Sequence, residues 1–168
     1  MHKKLKILVS YFKLLFIITV LNFQANGQYL VSCNFLNSSS STILSVATGL
    51  TLDYDVDMYK MTYNTVNTDS LPVIATGAFM VPKNSNCNDF PMAVYNHGTT
   101  LKKNDVPSYN NPESIIGKVF SAGGYFVCMP DYIGMGDSPG FHPYVHGHTE
   151  ATASIDMVRA AREYLSTT

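Results

Sequence analysis

Two continuous apolar runs with a helical pattern between them constrain this chain more than any other feature. Pro91–Tyr95 (PMAVY) and Tyr125–Met129 (YFVCM) lack polar alternation, as expected of strands covered on both faces. Between them Asn111, Pro112 and Glu113 read as cap, first position and first turn of a helix. Ile115, Ile116, Val119 and Phe120 supply its apolar face, and Gly123-Gly124 ends it. A second helix is expected from Thr149, where Ala151, Ile155, Val158, Ala161 and Leu165 recur at helical spacing, with Arg159 and Glu163 paired four apart on its outer side.

Upstream the pattern is different. Tyr54–Asn64 alternates loosely, as a half-exposed strand does, and Asn67–Ser70 reads as a turn. Pro72–Pro82 (PVIATGAFMVP) is a β-branched strand closed by proline. Two strands joined this closely pair antiparallel most easily. The whole order is a hairpin followed by strand–helix–strand–helix, an α/β fold. Asn37–Thr42 is polar and reads as a linker, and no internal repeat is present.

The first 27 residues form an address. Lys3, Lys4 and Lys6 precede the uninterrupted apolar run Leu14–Leu21, and Ala25-Asn26-Gly27 offers small residues for a cut before Gln28. The apolar stretch falls short of the roughly 20 residues a spanning helix needs, and Lys13 interrupts it. An uncleaved anchor is one alternative. A lipoprotein-like Leu30–Cys33, separated from the apolar run by polar residues, is another. The chain is therefore expected to be exported, with contact to a membrane only through this leader or a lipid on Cys33. Residues 28–53 would then be an extension with a Ser-rich linker, and residues 54–168 the folded domain.

Composition narrows the partners. The chain is 46% apolar and 14% charged, a globular balance. Its net charge of −1 conceals an asymmetry, since four of the eleven basic residues lie in the leader, which holds no acid. The remainder has seven Lys/Arg against twelve Asp/Glu, and an acidic body without a basic stripe argues against nucleic acid. Of the three cysteines, Cys33 and Cys87 lie in loop-like contexts where an exported protein can form a disulfide, while Cys128 sits in a strand pattern as a small hydrophobe. No C-x-x-C pair supports a zinc or thiol-redox site.

Three groups of residues invite a chemical reading. His97-Gly98-Thr99-Thr100 follows a buried strand directly, where α/β enzymes place ligand-facing groups, and small residues let backbone N–H groups approach an oxyanion. A tight turn with a hydrogen-bonded histidine explains the same residues. Gly136-Asp137-Ser138-Pro139-Gly140 matches the G-x-S-x-G of a nucleophile elbow. Pro139 opposes that reading, because the elbow needs an N–H on the residue after the nucleophile. So does the separation of Ser138 from the strand by Pro130–Gly136. His142, His146 and His148 lie close together but in a loop with Pro143 and Gly147, whereas metal ligands are better supported on a rigid element with a carboxylate or thiolate at a defined spacing, so no metal is expected. Glu150 fits the positive end of the last helix, and Tyr144 serves loop packing or substrate contact equally well.

The run from Asp131 (DYIGMGDSPGFHPYVHGHTEATASIDMVRAAREY) resembles the corresponding stretch of secreted bacterial α/β-hydrolases of the secretory-lipase-like, serine esterase group. The shared features are His97-Gly98 after the third strand, then Asp131, Gly134, Gly136 and Ser138 after the fourth, then the helix. The resemblance implies the amino-terminal half of an α/β-hydrolase sheet, an incomplete one. It implies ester or acyl hydrolysis of a small-molecule or lipid substrate without a cofactor. His97, Gly98, Thr99 and Thr100 would face substrate, with Gly98, Thr99 or Thr100 donating part of the oxyanion hole. Asp131, Gly134, Gly136 and Ser138 would form a structural loop. The nucleophile, acid and histidine of such enzymes come after the last helix, so no catalytic residue is expected in this chain, which would be inactive alone. Pro91–Tyr95 would be an exposed edge, and residues 28–168 would be poorly soluble. Two other functions fit the residues: a complete hydrolase using Ser138, and a non-catalytic exported binding or surface module.

Overall fold

Strand β1 (Leu30–Ser39) opens the fold and runs into helix α1 (Ser41–Thr48). Strands β2 (Asp55–Val66), β3 (Pro72–Lys83) and β4 (Met92–Val94) follow, then helix α2 (Ser114–Ala122), strand β5 (Phe126–Pro130) and helix α3 (Gly147–Leu165). The computed structural model describes residues 28–83 and 89–167. Residues 1–27 and Cys87, the expected disulfide partner of Cys33, lie outside the described residues. Cys33, expected in a loop, lies in β1. Among the described residues no helix is long and apolar enough to cross a membrane.

The strands form one open sheet in the order β1-β2-β3-β5-β4. β1/β2, β2/β3 and β3/β5 pair antiparallel, and β4 pairs parallel with β5. The opening hairpin and the strand–helix–strand crossover are thus both present. Asn67 makes the hairpin turn, its Oδ1 accepting from the N–H groups of Asp69 and Leu71 at 2.9 Å each.

Period-2 alternation divides the core between two faces. Met61 and Tyr63 of β2, Phe79 of β3, and Phe126 and Cys128 of β5 pack under α3 with Met157, Ala160 and Ala161. Val56 and Met58, Ala78 and Met80, and Val127 and Met129 lie on the other face with Leu44 of α1 and Ala122 of α2. The result is three layers, helix–sheet–helix.

Several expectations are corrected. The polar stretch Asn37–Thr42 is not a linker, because Asn37–Ser39 complete β1 and Ser41-Thr42 begin α1. β1 is held by its ladder with β2, and the Ser41 N–H and hydroxyl donate to Asp55 Oδ1 at 2.8 and 3.0 Å. An edge strand held by backbone bonds tolerates polar side chains, so residues 28–53 belong to the sheet.

Helix α2 is rotated from the expected face. Ser114, Gly117, Ser121 and Ala122 are buried, while Ile115 and Phe120 are exposed. A β-carbon on Gly117 would lie 2.5 Å from Met129 Sδ and 2.6 Å from Met80 Sδ, so the helix sits too close to the sheet for a large side chain on its inner face. Asn111 makes no side-chain cap. The helix begins instead with short bonds from the Ser114, Ile115 and Ile116 N–H groups to residues three before them.

In helix α3 the expected face is met at Ala161, which is buried, and at Val158 and Leu165, which pack against the core. Ile155 and Ala151 lie outside, however, and Thr149, Ala153, Met157 and Ala160 are buried. A β-carbon on Gly77 of β3 would lie 2.6 Å from Met157 Sδ, the same close approach. Arg159 and Glu163 take separate partners. Arg159 bonds Asp156 at 2.8 Å, and Glu163 accepts the N–H groups of Tyr29 and Leu30, pinning the start of β1. β4 is shorter than the run Pro91–Tyr95 and is not covered on both faces. It is an edge strand with Val94 exposed, as the resemblance implied.

Candidate functional site

Because β4 and β5 run parallel, their carboxyl ends open on the same side of the sheet, where ligands gather in open α/β folds. The turn 97–100 leaves β4 there and the loop 131–147 leaves β5. Between them is a cavity of about 260 Å³ lined from the first segment by His97, Gly98, Thr99 and Thr100, and from the second by Tyr132, Met135, His142, Tyr144 and Val145. Glu150 of α3 completes the wall. The structure therefore brings together two segments separated by α2 and β5 in sequence. Thr99 Oγ1 and Tyr144 OH, 3.0 Å apart, link them directly.

His97 is 9% exposed and does not enter the cavity as a free base. Its Nδ1 lies 2.7 Å from Gly98 O and its Nε2 3.2 Å from Asp131 O, and Tyr132 packs on the ring at 4.7 Å. Both nitrogens face carbonyl oxygens, and the contact of Nε2 with Asp131 O joins the ring to the second segment. Gly98 N–H donates to Glu113 Oε1 at 3.0 Å, and Tyr95 OH donates to the same oxygen at 2.7 Å. That bond pushes the Tyr95 phenol above its ordinary value. The N–H groups of Thr99 and Thr100 have no hydrogen-bond partner among the described residues.

Asp131 is fully buried and anchors the floor of the longer loop. Its Oδ2 accepts from Thr76 Oγ1 at 2.6 Å and its Oδ1 from Ser108 N–H at 2.9 Å. Burial pushes its carboxyl up from the usual carboxylate range, and the bonds from Ser108 and Thr76 pull against that. Gly136, at φ +57°, lies against this carboxylate, and Gly134, at φ +75°, against the backbone of Phe141 and His142. Ser138 is enclosed, and its Oγ donates to Ile74 O at 2.8 Å, tying the loop to β3. Lys103 Nζ bonds Ser138 O at 2.8 Å, and Asp137 is paired with Lys60 and accepts from Tyr109 OH at 2.6 Å.

The three histidines are dispersed among local duties, His142 and His146 in the loop and His148 in the first turn of α3 rather than in the loop expected. His142 Nδ1 lies 2.9 Å from Ile133 O, and His146 Nδ1 lies 3.1 Å from Thr149 Oγ1 at the start of α3. The His148 ring meets that of His146 edge-on at 6.2 Å.

Glu113, Tyr95, Tyr132 and Val145 are site residues that sequence reasoning did not single out. Tyr132 and Val145 line the cavity with φ of +70° and +60°, and a β-branched residue in that region is strained. Nothing in the spacing of Glu113 from Gly98 announces their contact. The Gly-rich context of the loop is the one available signal for tight turns at Tyr132 and Val145. No serine or cysteine among the described residues lines the cavity. The arrangement suits binding of a substrate oxygen by backbone N–H groups, beside aromatic rings, hydroxyls and one carboxylate.

No family model and no curated protein matches the chain. Solved structures do. A protein of Legionella pneumophila described only provisionally as a hydrolase superposes with a TM-score of 0.76 at 34% identity, over 83% of this chain and 40% of its own. The rice cell wall degrading esterase LipA of Xanthomonas oryzae gives 0.72 at 26% identity, over 83% of this chain and 38% of its own. Candida antarctica lipase A, at 16% identity over 83% of this chain and 32% of its own, shares the fold with a TM-score of 0.53. The sheet is thus that of the α/β-hydrolase fold, in its amino-terminal half. The chain spans about 40% of the length of the structures it matches first.

Proposed function

We propose that this chain is the amino-terminal part of an exported serine hydrolase that cleaves carboxylic esters of small molecules or lipids. The observation that carries the proposal is the cavity at the carboxyl ends of β4 and β5, walled by both motif-bearing segments, in a sheet that overlays an esterase at 26% identity. In this reading the turn that follows β4 supplies part of the oxyanion hole for a tetrahedral intermediate, and Tyr132, His142 and Tyr144 flank the acyl or alcohol group. Asp131, Gly134, Gly136 and Ser138 hold the loop in place and touch no reacting atom. The nucleophile, its histidine and its acid belong to the part of the domain that the matched structures have outside their overlap with this chain. Residues 1–27 direct export, and no nucleic acid takes part.

Reading the nucleotide sequence after the Thr168 codon in all three frames tests this. The proposal expects an apolar strand and a G-x-S-x-G elbow within about 20–40 residues. A genuine stop with no such continuation would favour a non-catalytic exported module.

A further inference from the structure

We infer that Glu113 is the positioning residue of the oxyanion-binding turn: it holds the Gly98 N–H and leaves the Thr99 and Thr100 N–H groups as the donors that meet an anionic oxygen. The inference rests on reading the cavity as an ester-hydrolysis site. It decides among three candidate donors that the sequence alone leaves equal.

An amide has one hydrogen, and that of Gly98 is committed. It donates to Glu113 Oε1 at 3.0 Å, a charge-assisted bond of the stronger kind. An oxyanion at the same hydrogen would have to displace a carboxylate and then lie beside its negative charge. Thr99 and Thr100 line the cavity, and their N–H groups have no partner among the described residues. The same Glu113 oxygen accepts from Tyr95 OH at 2.7 Å. One carboxylate, next to the first residue of α2, therefore fixes both the end of β4 and the turn that follows it. Thr99 is also held from the opposite side through its hydroxyl and Tyr144. The turn is thus clamped at two successive residues, with the N–H groups of Thr99 and Thr100 left over.

The full chain, labelled with ¹⁵N and titrated with butyrate as the anionic probe, tests the assignment. In the wild type the Thr99 and Thr100 amide resonances are expected to move and that of Gly98 to stay. In Glu113→Ala the Gly98 amide is released and is expected to move with the other two. Glu113→Gln, which keeps an acceptor oxygen for both donors, is expected to behave as the wild type. Dispersed amide spectra of both variants serve as the check on folding. A wild-type titration in which Gly98 moves as far as its neighbours would overturn the inference. So would the absence of any shift at Thr99 and Thr100, or an Ala variant that titrates as the wild type does.

Hydrolysis of p-nitrophenyl butyrate by the intact gene product separates this from the underlying reading. There Glu113→Ala is expected to lower kcat about tenfold with little change in KM, and Glu113→Gln to restore it. A loss confined to KM would also overturn the inference. If the wild type hydrolyses no ester, the ester reading fails, and the amide titration still decides which N–H groups bind an anion.

Discussion

Gly136 approaches Asp131 so closely that a β-carbon on it would lie 2.5 Å from Asp131 Oδ2, and closer still to the Thr76 hydroxyl bonded to that oxygen. The longer wall of the cavity is thus folded around a buried carboxylate, and the glycine gives that carboxylate room. Gly136 also has φ +57°, which an L side chain adopts only with strain. Gly136→Ala is expected to destabilise the chain by about 2–4 kcal/mol, from strain and overpacking together. Denaturant unfolding checks this, and a loss under about 0.5 kcal/mol, the range of ordinary surface changes, would contradict it.

Asp137, one residue further on, gives the loop an acid-sensitive tie. Bonds from Lys60 and Tyr109 hold its carboxyl below the usual range. A depressed folded-state value means that the stabilisation is full above the ordinary carboxylate range and is lost as pH falls through the folded value. The stability difference between wild type and Asp137→Asn should therefore be largest near neutrality and shrink below about pH 4. Urea midpoints taken across that range test it, and parallel curves for the two proteins would refute it.

Glu163 tethers the first strand. Its carboxylate accepts from Tyr29 N–H at 3.0 Å and Leu30 N–H at 2.8 Å. Glu163→Ala should cost about 1–3 kcal/mol and raise hydrogen exchange first in β1, before β2 and β3 respond. Uniform acceleration across the sheet would show that the tether is not local.

Val94 stands on β4, one of the two edge strands of the sheet, and is 41% exposed. An apolar edge of unpaired backbone groups promotes association. Val94→Lys should reduce light scattering of concentrated solutions while shifting stability by no more than about 0.5 kcal/mol. Unchanged scattering would mean that association uses another surface.

Much of the fold was legible because its strands announce themselves by periodicity and its turns by composition. The hairpin of β2 and β3 and the β4–α2–β5 crossover are instances. The inner face of α2 was misread for one physical reason. Apolar spacing marked Ile115 and Phe120 as inward, yet close approach to the methionines of β3 and β5 demanded Gly117 and Ser121 there. β1 was hidden because an edge strand held by its backbone ladder does not need an apolar sequence. At the site, the turn 97–100 and the loop from Asp131 were each visible as motifs. Their meeting through His97 and through Thr99 and Tyr144 was not, since it depends on tertiary contacts between residues far apart in the chain. Glu113 looked like a helix-terminal charge and is instead the acceptor for Gly98 and Tyr95.

Mapping the adduct of a serine-directed fluorophosphonate on the intact gene product tests the central claim most directly. The account predicts labelling at an elbow serine outside the loop 131–147, with Ser138 unmodified because its hydroxyl is enclosed and bonded to Ile74 O. An adduct on Ser138, or no adduct at any serine, would contradict it.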